Sequence, residues 1–334
     1  MPRLLRLIRR QRKTLLVLTI MSIVVFVALH TWTESSETLE RKDPRLLSVL
    51  LHWLVKPTPR YHVTLVTAFL DIGEFAKTRP ERKRDHRLYE TWSSAYFRVL
   101  SPVVLYTDSE SFARHFLSVR RKLLNVTKVV MVRRDGLWSF GLKDRIAAVY
   151  SRRDYPKNYP NTVYPEYTCL THAKMDFLQD AVDNADFPSR LVAWMDVGYL
   201  RDIAGKNFTG YYNLLPPLNL PLDASRVLCG QVVKPNFTTP WLTVIRRNRN
   251  WVAGGFFLAT PDVMTRFVTQ YRRAVTSFLA LNESQVEQQV IYAMYTNDGR
   301  RMVKPIVELQ AVPGGWFTIG FRCLRPSNMT LLLT

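Results

Sequence analysis

The sequence predicts an α/β fold with a mostly parallel central sheet flanked by helices, preceded by an N-terminal transmembrane helix. Two observations indicate this architecture. From about residue 60 onward, apolar β-branched segments alternate with segments whose apolar residues recur every three or four positions, which is typical of βαβ units and parallel sheets. In addition, the apolar run at residues 14–32 is long enough to cross a membrane as a helix.

The N-terminal region predicts a signal anchor. Residues 1–13 carry six basic side chains and no acid, and residues 14–32 carry no charged side chain. A cleaved signal peptide usually has a shorter apolar region that ends at a small-x-small site, which the following HTWTESSETLE does not offer. Because Lys and Arg stay on the cytoplasmic side, we predict a type II protein with a cytoplasmic tail at 1–13, an anchor at 14–32, a luminal stem at 33–60 and a luminal domain at 61–334.

Five N-x-S/T sequons agree with a luminal domain, because such asparagines are glycosylated on surface loops of secretory proteins. They begin at Asn125, Asn207, Asn236, Asn282 and Asn328. The luminal part has three cysteines, which allow at most one intramolecular disulfide and exclude a disulfide-stapled scaffold: Cys169, Cys229 and Cys323.

The formal net charge is +20, and residues 14–334 retain +14 of it. A luminal location argues against nucleic acid as a partner. The charge indicates either a basic surface without a ligand or a groove for an anion, such as a nucleoside diphosphate or an acidic glycan. Charge alone does not separate these alternatives.

The first half of the luminal domain predicts three strands and two helices. HVTLVTAFL at 62–70 is apolar and bounded by Asp71 and Gly73, as in a buried strand. Residues 84–99 have helical spacing, and PVVLYTD predicts the second strand at 102–108. Ser109 is placed as the N-cap of the next helix. TKVVMVRR predicts the third strand at 127–134.

The second half continues the pattern. A helix is expected at 168–183, and RLVAWMDVG after it has five apolar residues without alternation, as in a central strand buried on both faces. RVLCGQVV, WVAGGFFLAT and IVELQAV predict further strands. Thr260-Pro261 predicts a capped helix start, and another helix is expected from Ser284.

Asp196 ends the fourth predicted strand, and Gly198 follows it. One interpretation is an ordinary turn, for which Asp and Gly are suited. The other is a ligand site, because open parallel sheets bind ligands at the carboxyl ends of their strands. Its position after a central strand favours the ligand site.

Four motifs in order resemble the HtrL/YibB family: TLVTAFLDIG, YPEYTCLTHAKMDFL, WMDVGYLR and WVAGGFFLAT. The resemblance covers roughly residues 62–300. It implies a GT-A-like glycosyltransferase, and this chain would be an animal type II membrane member of the family. GT-A enzymes usually carry D-x-D at this strand end, where the acids hold a divalent cation on the donor diphosphate.

Here the triplet is Asp196-Val197-Gly198, so the second carboxylate is absent. The resemblance implies that Asp196 is catalytic and binds Mn²⁺ or Mg²⁺, with donor phosphates and water as the other ligands. The C-terminal histidine ligand of many GT-A enzymes is also missing, since no histidine follows His172. Metal dependence is therefore left open.

Further site residues follow from the resemblance, each with a structural alternative. Thr67 and Ala68 would contact the nucleotide, and Asp71 would close their turn; a core strand with a capping turn is the alternative. Asp108 would reach the base or ribose, or merely begin a helix. Lys174 would meet a phosphate, or be solvated.

One glycine pair and one further acid belong to the same predicted site. Gly254 and Gly255 would let a sugar approach the backbone closely, although a strand bulge gives the same pattern. Glu287 would act with Gln288 at the acceptor side as a second catalytic residue. The alternative, which local sequence favours, is a capping box from Ser284 to Glu287.

These implications predict a hexosyltransferase-like enzyme of the Golgi membrane with a luminal catalytic domain. It would move a sugar from a nucleotide-sugar donor to a glycan, glycoprotein or glycolipid acceptor. The alternative is a luminal glycan-binding or scaffold protein that keeps the fold without turnover, which the missing second acid would allow. No G-x-S-x-G element or phosphosulfate-type P-loop is present, which argues against a hydrolase or sulfotransferase.

Overall fold

This computed structural model describes residues 59–77, 79–204 and 210–327. The predicted tail, anchor and stem lie outside these ranges, except for Pro59 and Arg60. No helix within the described ranges is both long enough and apolar enough to span a membrane.

The described chain alternates strands and helices. The strands are β1 (Tyr61–Phe69), β2 (Phe75–Lys77), β3 (Arg79–Arg84), β4 (Val103–Thr107), β5 (Thr127–Met131), β6 (Ser189–Met195), β7 (Tyr211–Leu214), β8 (Val227–Gln231), β9 (Val252–Ala259), β10 (Leu309–Pro313) and β11 (Leu324–Ser327). The α-helices are α1 (His86–Ser93), α2 (Glu110–Val119), α3 (Lys143–Ser151), α4 (Pro165–Asn184), α5 (Arg201–Ala204), α6 (Trp241–Arg246), α7 (Pro261–Ala280), α8 (Glu287–Tyr295), α9 (Asn297–Val303) and α10 (Thr318–Cys323).

The central sheet has seven strands in the order β10-β8-β9-β6-β1-β4-β5. Strands β6, β1, β4 and β5 pair in parallel, and so do β10 and β8. Strand β9 runs antiparallel to both of its neighbours. The predicted α/β class, the mostly parallel sheet and the adjacency of the four first-predicted strands are therefore confirmed.

Alternate residues of the central strands enter two different cores, because successive side chains of a strand point to opposite faces. Val66 and Trp194 face the core formed with α4, α7 and α8. Leu65 and Met195 face the core on the other side, which includes the buried faces of α2 and α10. Helices thus cover both faces of the sheet, which explains the unbroken apolar runs in the sequence.

Two predicted helix starts are confirmed by their capping bonds. The Ser109 hydroxyl accepts from the Phe112 amide at the start of α2. The Thr260 hydroxyl accepts from the Val263 amide at the start of α7, with Pro261 in the first helical position.

The predicted helix at 84–99 is only partly correct. The α-helix α1 ends at Ser93 and a 3₁₀ helix, Ser94–Arg98, continues the chain. Arg84, the first residue of the predicted helix, belongs instead to β3. Strand β3 pairs with β2 in an antiparallel hairpin. The sequence does not predict this hairpin, because its basic residues show no alternation of apolar and polar side chains.

Candidate active site

A cleft of about 600 Å³ opens where β1 and β6 end. Ala68 and Asp71 border it beside β1, and Asp196 and Gly198 border it beside β6. The other walls come from the β2–β3 hairpin, α1, the N-terminal half of α4 and the start of α8. The cleft therefore occupies the carboxyl edge of the parallel strands, where open α/β sheets hold ligands.

Lys174 lines this cleft from α4. Helix α4 packs against the sheet and buries Lys174, whose side chain is only 6% exposed. Its Nζ lies 2.9 Å from Asp196 Oδ1 and 2.8 Å from Glu287 Oε1, and it donates to the Gly254 carbonyl oxygen at 2.8 Å. An ammonium has three N–H donors, so these three acceptors satisfy Lys174 completely.

The two acids keep Lys174 charged. Burial alone would lower the pKa of Lys174, because a low dielectric disfavours the charged form. The negative charges of Asp196 and Glu287 outweigh this effect and raise the pKa to about 12. A buried ammonium and two carboxylates thus form one linked unit, which we call the charge triad: Lys174, Asp196 and Glu287.

Asp196 directly follows β6 and is held by its own strand and by β9. Its Oδ1 accepts from the Trp194 indole Nε1 at 2.8 Å, in addition to the bond from Lys174. Its backbone amide donates to the Gly255 carbonyl at 2.9 Å. The Asp196 side chain is 45% exposed, so the acid is oriented by the protein and still open to the cleft.

Glu287 corrects the capping-box prediction. Helix α8 begins at Glu287 with Val286 as its N-cap and without a side-chain capping bond. The Glu287 carboxylate reaches Lys174 instead, because a buried ammonium binds a carboxylate more strongly than a backbone amide does. The Glu287 side chain is buried, with only 5% of it exposed, and yet its Oε2 has no hydrogen-bond partner in the described part of the chain.

Gly254 makes room for this contact. A Cβ at position 254 would lie 2.0 Å from Glu287 Oε1, closer than any real contact. The predicted close approach to the backbone at Gly254 therefore exists, and the group that approaches is the side chain of Glu287. Gly255 lines the cleft, and a Cβ there would lie 3.5 Å from Asp196 Oδ2.

Three further cations line the cleft: Lys77, Arg84 and Arg201. The Arg84 guanidinium lies 4.4 Å from the ring centre of Trp92, and the Arg201 guanidinium lies 4.3 Å from that of Phe317. Burial, followed by repulsion from Arg84, lowers the pKa of Lys77 to about 8. The same two causes lower the pKa of Arg201.

Of the two acids predicted near the nucleotide after β1 and β4, Asp71 lines the cleft and Asp108 does not. Asp71 lines the cleft and binds His86 Nδ1 at 2.9 Å through Oδ2. Asp108 accepts from the Asp71 amide at 2.8 Å and from Arg134 Nε at 2.5 Å. Both carboxylate oxygens of Asp108 are thus used to hold the Asp71 loop, and Asp108 is not among the residues that line the cleft.

Of the remaining predicted residues, some line the cleft and another is buried in the core. Ala68 lines the cleft, whereas Thr67 is fully buried and its hydroxyl lies 3.3 Å from that of Tyr96. Gly198 lines the cleft beneath Trp92, where an added Cβ would lie 2.6 Å from Trp92 Cε3. The nucleotide-binding roles assigned to these residues stay predictions.

Comparison with known proteins identifies the family. The family model described as "Bacterial protein of unknown function (HtrL_YibB)" matches residues 61–326. The chain belongs to the HtrL_YibB family. The resemblance of the four sequence motifs is thereby confirmed, and the family description assigns no activity.

The comparison of this HtrL_YibB protein with solved structures gives 95 matching chains. One of them is core-mannan synthase A from Aspergillus fumigatus in its Mn/GDP form, with 8% sequence identity, coverage of 74% of each chain and a TM-score of 0.38. The comparison with curated proteins gave no match.

Four cleft residues of this HtrL_YibB chain were not predicted from the sequence: Lys77, Arg84, Arg201 and Trp92. Lys77 and Arg84 belong to the β2–β3 hairpin, and Arg201 begins α5. The basic composition of the sequence indicates an excess of cations but does not indicate which of them lie in the cleft. Their convergence depends on how the hairpin and α5 fold over the sheet edge.

The charge triad does not fit a divalent cation shared by its two acids. No group of three or more His, Cys, Asp or Glu side chains that could hold a metal occurs in the described part of this HtrL_YibB chain. The Lys174 ammonium lies between Asp196 and Glu287, so a cation bound to both acids would lie beside a buried positive charge. Mg²⁺ also requires near-octahedral oxygen ligands at about 2.1 Å.

Proposed function

We propose that this protein is a glycosyltransferase that moves a sugar from a nucleotide-sugar donor to a glycan or glycoconjugate acceptor. The proposal includes a GT-A-like arrangement, which the family resemblance implies. The observation that carries it is the charge triad in a cleft at the carboxyl edge of a parallel sheet, with Lys77, Arg84 and Arg201 around it. Such a site offers both acids for sugar chemistry and cations for a diphosphate.

The proposed reaction uses these groups in different ways. The bond between the anomeric carbon and the diphosphate oxygen breaks, and the nucleoside diphosphate leaves. A bond forms between the anomeric carbon and an acceptor hydroxyl oxygen, whose proton passes to Glu287. The cations stabilise the negative charge that develops on the leaving diphosphate.

Asp196 would orient the donor sugar. It is the most exposed member of the charge triad, and Lys174 and Trp194 hold its Oδ1 in place. Its Oδ2 would then accept a hydrogen bond from a sugar hydroxyl. A carboxylate held by two donors needs little reorganisation when the substrate binds.

The proposed setting is the Golgi lumen, with residues 14–32 as the membrane anchor and the acceptor on a glycoprotein or glycolipid. This part of the proposal rests on the charge distribution of residues 1–32 and on the sequons. Among the described sequons, Asn125, Asn236 and Asn282 are exposed, as a luminal glycoprotein requires.

The test is a turnover assay on the full-length protein with a panel of nucleoside-diphosphate sugars, with and without candidate glycan acceptors. Release of nucleoside diphosphate is measured by chromatography. We expect one donor to be transferred or slowly hydrolysed, and Asp196→Asn to reduce the rate by about 10²-fold or more. The melting temperature should change little, because Asn keeps an oxygen that accepts from Trp194 and Lys174.

Asp202→Asn is the matched control, since Asp202 is exposed in the short helix α5. It should keep the wild-type rate. If Asp196 served only as a turn residue, its substitution would cost about 1 kcal/mol of stability and leave turnover intact. Turnover of no donor in the panel would instead favour a glycan-binding or scaffold protein.

A further inference from the structure

The triad already contains the positive charge that a divalent cation would otherwise supply to its acids. Lys174 Nζ bonds to one oxygen of each acid and to the Gly254 carbonyl. Its three donors are used, so Lys174 has no N–H left for a phosphate. The phosphate-binding groups must therefore be sought among the other side chains of the cleft.

We propose that the cleft binds the diphosphate of the donor through Lys77, Arg84 and Arg201, without a divalent cation. This inference rests on the proposed function and specifies how its donor is held. Between the two acids, Lys174 supplies the positive charge that a divalent metal ion would supply. On the phosphates, Lys77, Arg84 and Arg201 supply the positive charge in place of that metal ion.

The three cations form no ion pair with an acid in the part of the chain that the structure describes. Within the described ranges, no carboxylate lies at salt-bridge distance from Lys77, Arg84 or Arg201. The other two acids of the cleft have their own partners: Asp71 binds His86, and Asp85 accepts from the Leu88 amide. An anion in the cleft therefore meets unpaired positive charge.

These cations also repel one another. Repulsion by Arg84 contributes to the lowered pKa of both Lys77 and Arg201. A bound diphosphate would relieve this repulsion, because an opposite charge within a few ångströms favours the charged form. The site thus gains more from an anion than three separate surface cations would.

Each arginine uses part of its donor set within the protein and keeps further N–H groups for an anion: Arg201 Nη1 donates to the Gly198 carbonyl at 3.1 Å, and Arg84 hydrogen-bonds to the Tyr89 hydroxyl. Arg84 lies against the face of Trp92, and Arg201 lies against that of Phe317. Stacking uses the flat face of a guanidinium, while its N–H donors lie in the plane and can bind phosphate oxygens in pairs. Trp92 and Phe317 therefore position these two arginines for an anion.

The test is isothermal titration of the full-length protein with UDP, GDP, CDP and ADP, in EDTA and in manganese chloride. We expect at least one of them to bind, with a dissociation constant that differs by less than about threefold between the two conditions. Binding that is lost in EDTA and restored by manganese overturns the inference and leaves the proposed function standing. Binding of none of them in either condition overturns both.

Two lysines of one hairpin provide the matched pair of variants. Lys77 lines the cleft, whereas Lys83 is exposed and paired with Glu74 at 2.6 Å. In EDTA, Lys77→Gln should weaken nucleoside-diphosphate binding about tenfold or more, and Lys83→Gln should leave it within about twofold. Equal effects of the two substitutions would show that net charge, and not this site, binds the nucleotide.

Discussion

At the scale of single residues, the two acids of the charge triad differ in their surroundings. Asp196 is 45% exposed and donors hold one of its oxygens, whereas Glu287 is 5% exposed and its Oε2 has no hydrogen-bond partner among the described residues. A buried carboxylate oxygen without a hydrogen-bond donor lowers the stability of the fold. An acceptor hydroxyl of the substrate would supply this hydrogen bond and the proton that is transferred. This difference assigns orientation to Asp196 and proton transfer to Glu287 in the proposed reaction.

Substitution of Glu287 tests this assignment. Glu287→Gln keeps an oxygen that accepts from Lys174 and removes the proton acceptor. We expect the transfer rate to fall by about 10²- to 10⁴-fold. Nucleoside-diphosphate binding should be kept, because the substitution removes a negative charge from the cleft. Initial rates and titration calorimetry measure the two effects separately.

Glu283→Gln is the control for Glu287→Gln. Glu283 is another buried acid, 5% exposed, and it pairs with Arg246 at 2.5 Å outside the cleft. Its substitution should lower stability and leave the rate per folded molecule within a few fold of wild type. A near-normal rate for Glu287→Gln would exclude proton transfer by this acid.

At the scale of elements, α4 serves two environments with residues two positions apart. Side chains at positions i and i+2 of a helix do not face each other. Lys174 reaches the sheet edge, while His172 turns to α7, where its Nδ1 lies 2.6 Å from the Tyr271 hydroxyl. His172 is fully buried, and burial followed by repulsion from Lys174 lowers its pKa to about 3.

This shift predicts that stability depends on pH. The folded protein keeps His172 neutral down to about pH 3, whereas the unfolded chain takes up a proton below about pH 6.5. The stabilisation is therefore complete above pH 6.5 and is lost as the pH falls toward 3. Between pH 7.5 and 5.5 this one group should lower the free energy of unfolding by about 1.4 kcal/mol.

Urea unfolding at pH 7.5 and 5.5 checks this prediction. His172→Gln removes the titrating group and keeps an acceptor for the Tyr271 hydroxyl, so the variant should lose about 1.4 kcal/mol less than the wild type over this range. His62→Gln, at an exposed position, accounts for the loss of one histidine from the chain. Equal losses in wild type and His172→Gln would contradict a neutral buried His172.

Another element-scale feature is the cation that joins α2 to the segments beside it. Arg120 is fully buried and donates to the carbonyls of four residues and to the Thr127 hydroxyl; the four are Tyr96, Val99, Ser101 and Val126. These carbonyls belong to the end of the 3₁₀ helix and to the segments that enter β4 and β5. Because buried carbonyls without donors are costly, Arg120 fixes how these elements meet.

At the scale of the whole molecule, the predicted topology places the N-terminus in the cytosol and the folded domain in the lumen. Expression in a secretory cell should give protein whose mass falls on endoglycosidase treatment. In intact microsomes, protease should remove only the N-terminal tail. The physical reasons are the six basic residues before the apolar span and the need for lumenal exposure of sequons.

The exposed sequons supply the control for topology. Asn125→Gln, Asn236→Gln and Asn282→Gln together should reduce the glycan mass, because all three asparagines are exposed. Asn207 and Asn328 lie outside the described residues and remain as acceptors in this variant. A protein that carries no endoglycosidase-sensitive mass, and is fully digested in intact microsomes, would contradict the type II topology.

The sequence by itself determined the sheet and the position of Asp196. Apolar runs report which segments are buried on both faces, so β1, β4, β5 and β6 could be predicted as parallel neighbours. The end of a central parallel strand then places Asp196 at the ligand edge. The β2–β3 hairpin left no such signal, because its strands are short and basic.

Only the tertiary structure decided which side chains meet in the cleft. Lys174 and Glu287 are 113 positions apart, and local sequence favoured a helix cap for Glu287. Packing of α4 and α8 against the sheet, with space left by Gly254, joined the two charges instead. Local patterns describe the burial of each segment, whereas a contact between distant charges depends on desolvation and geometry that arise once the segments are packed.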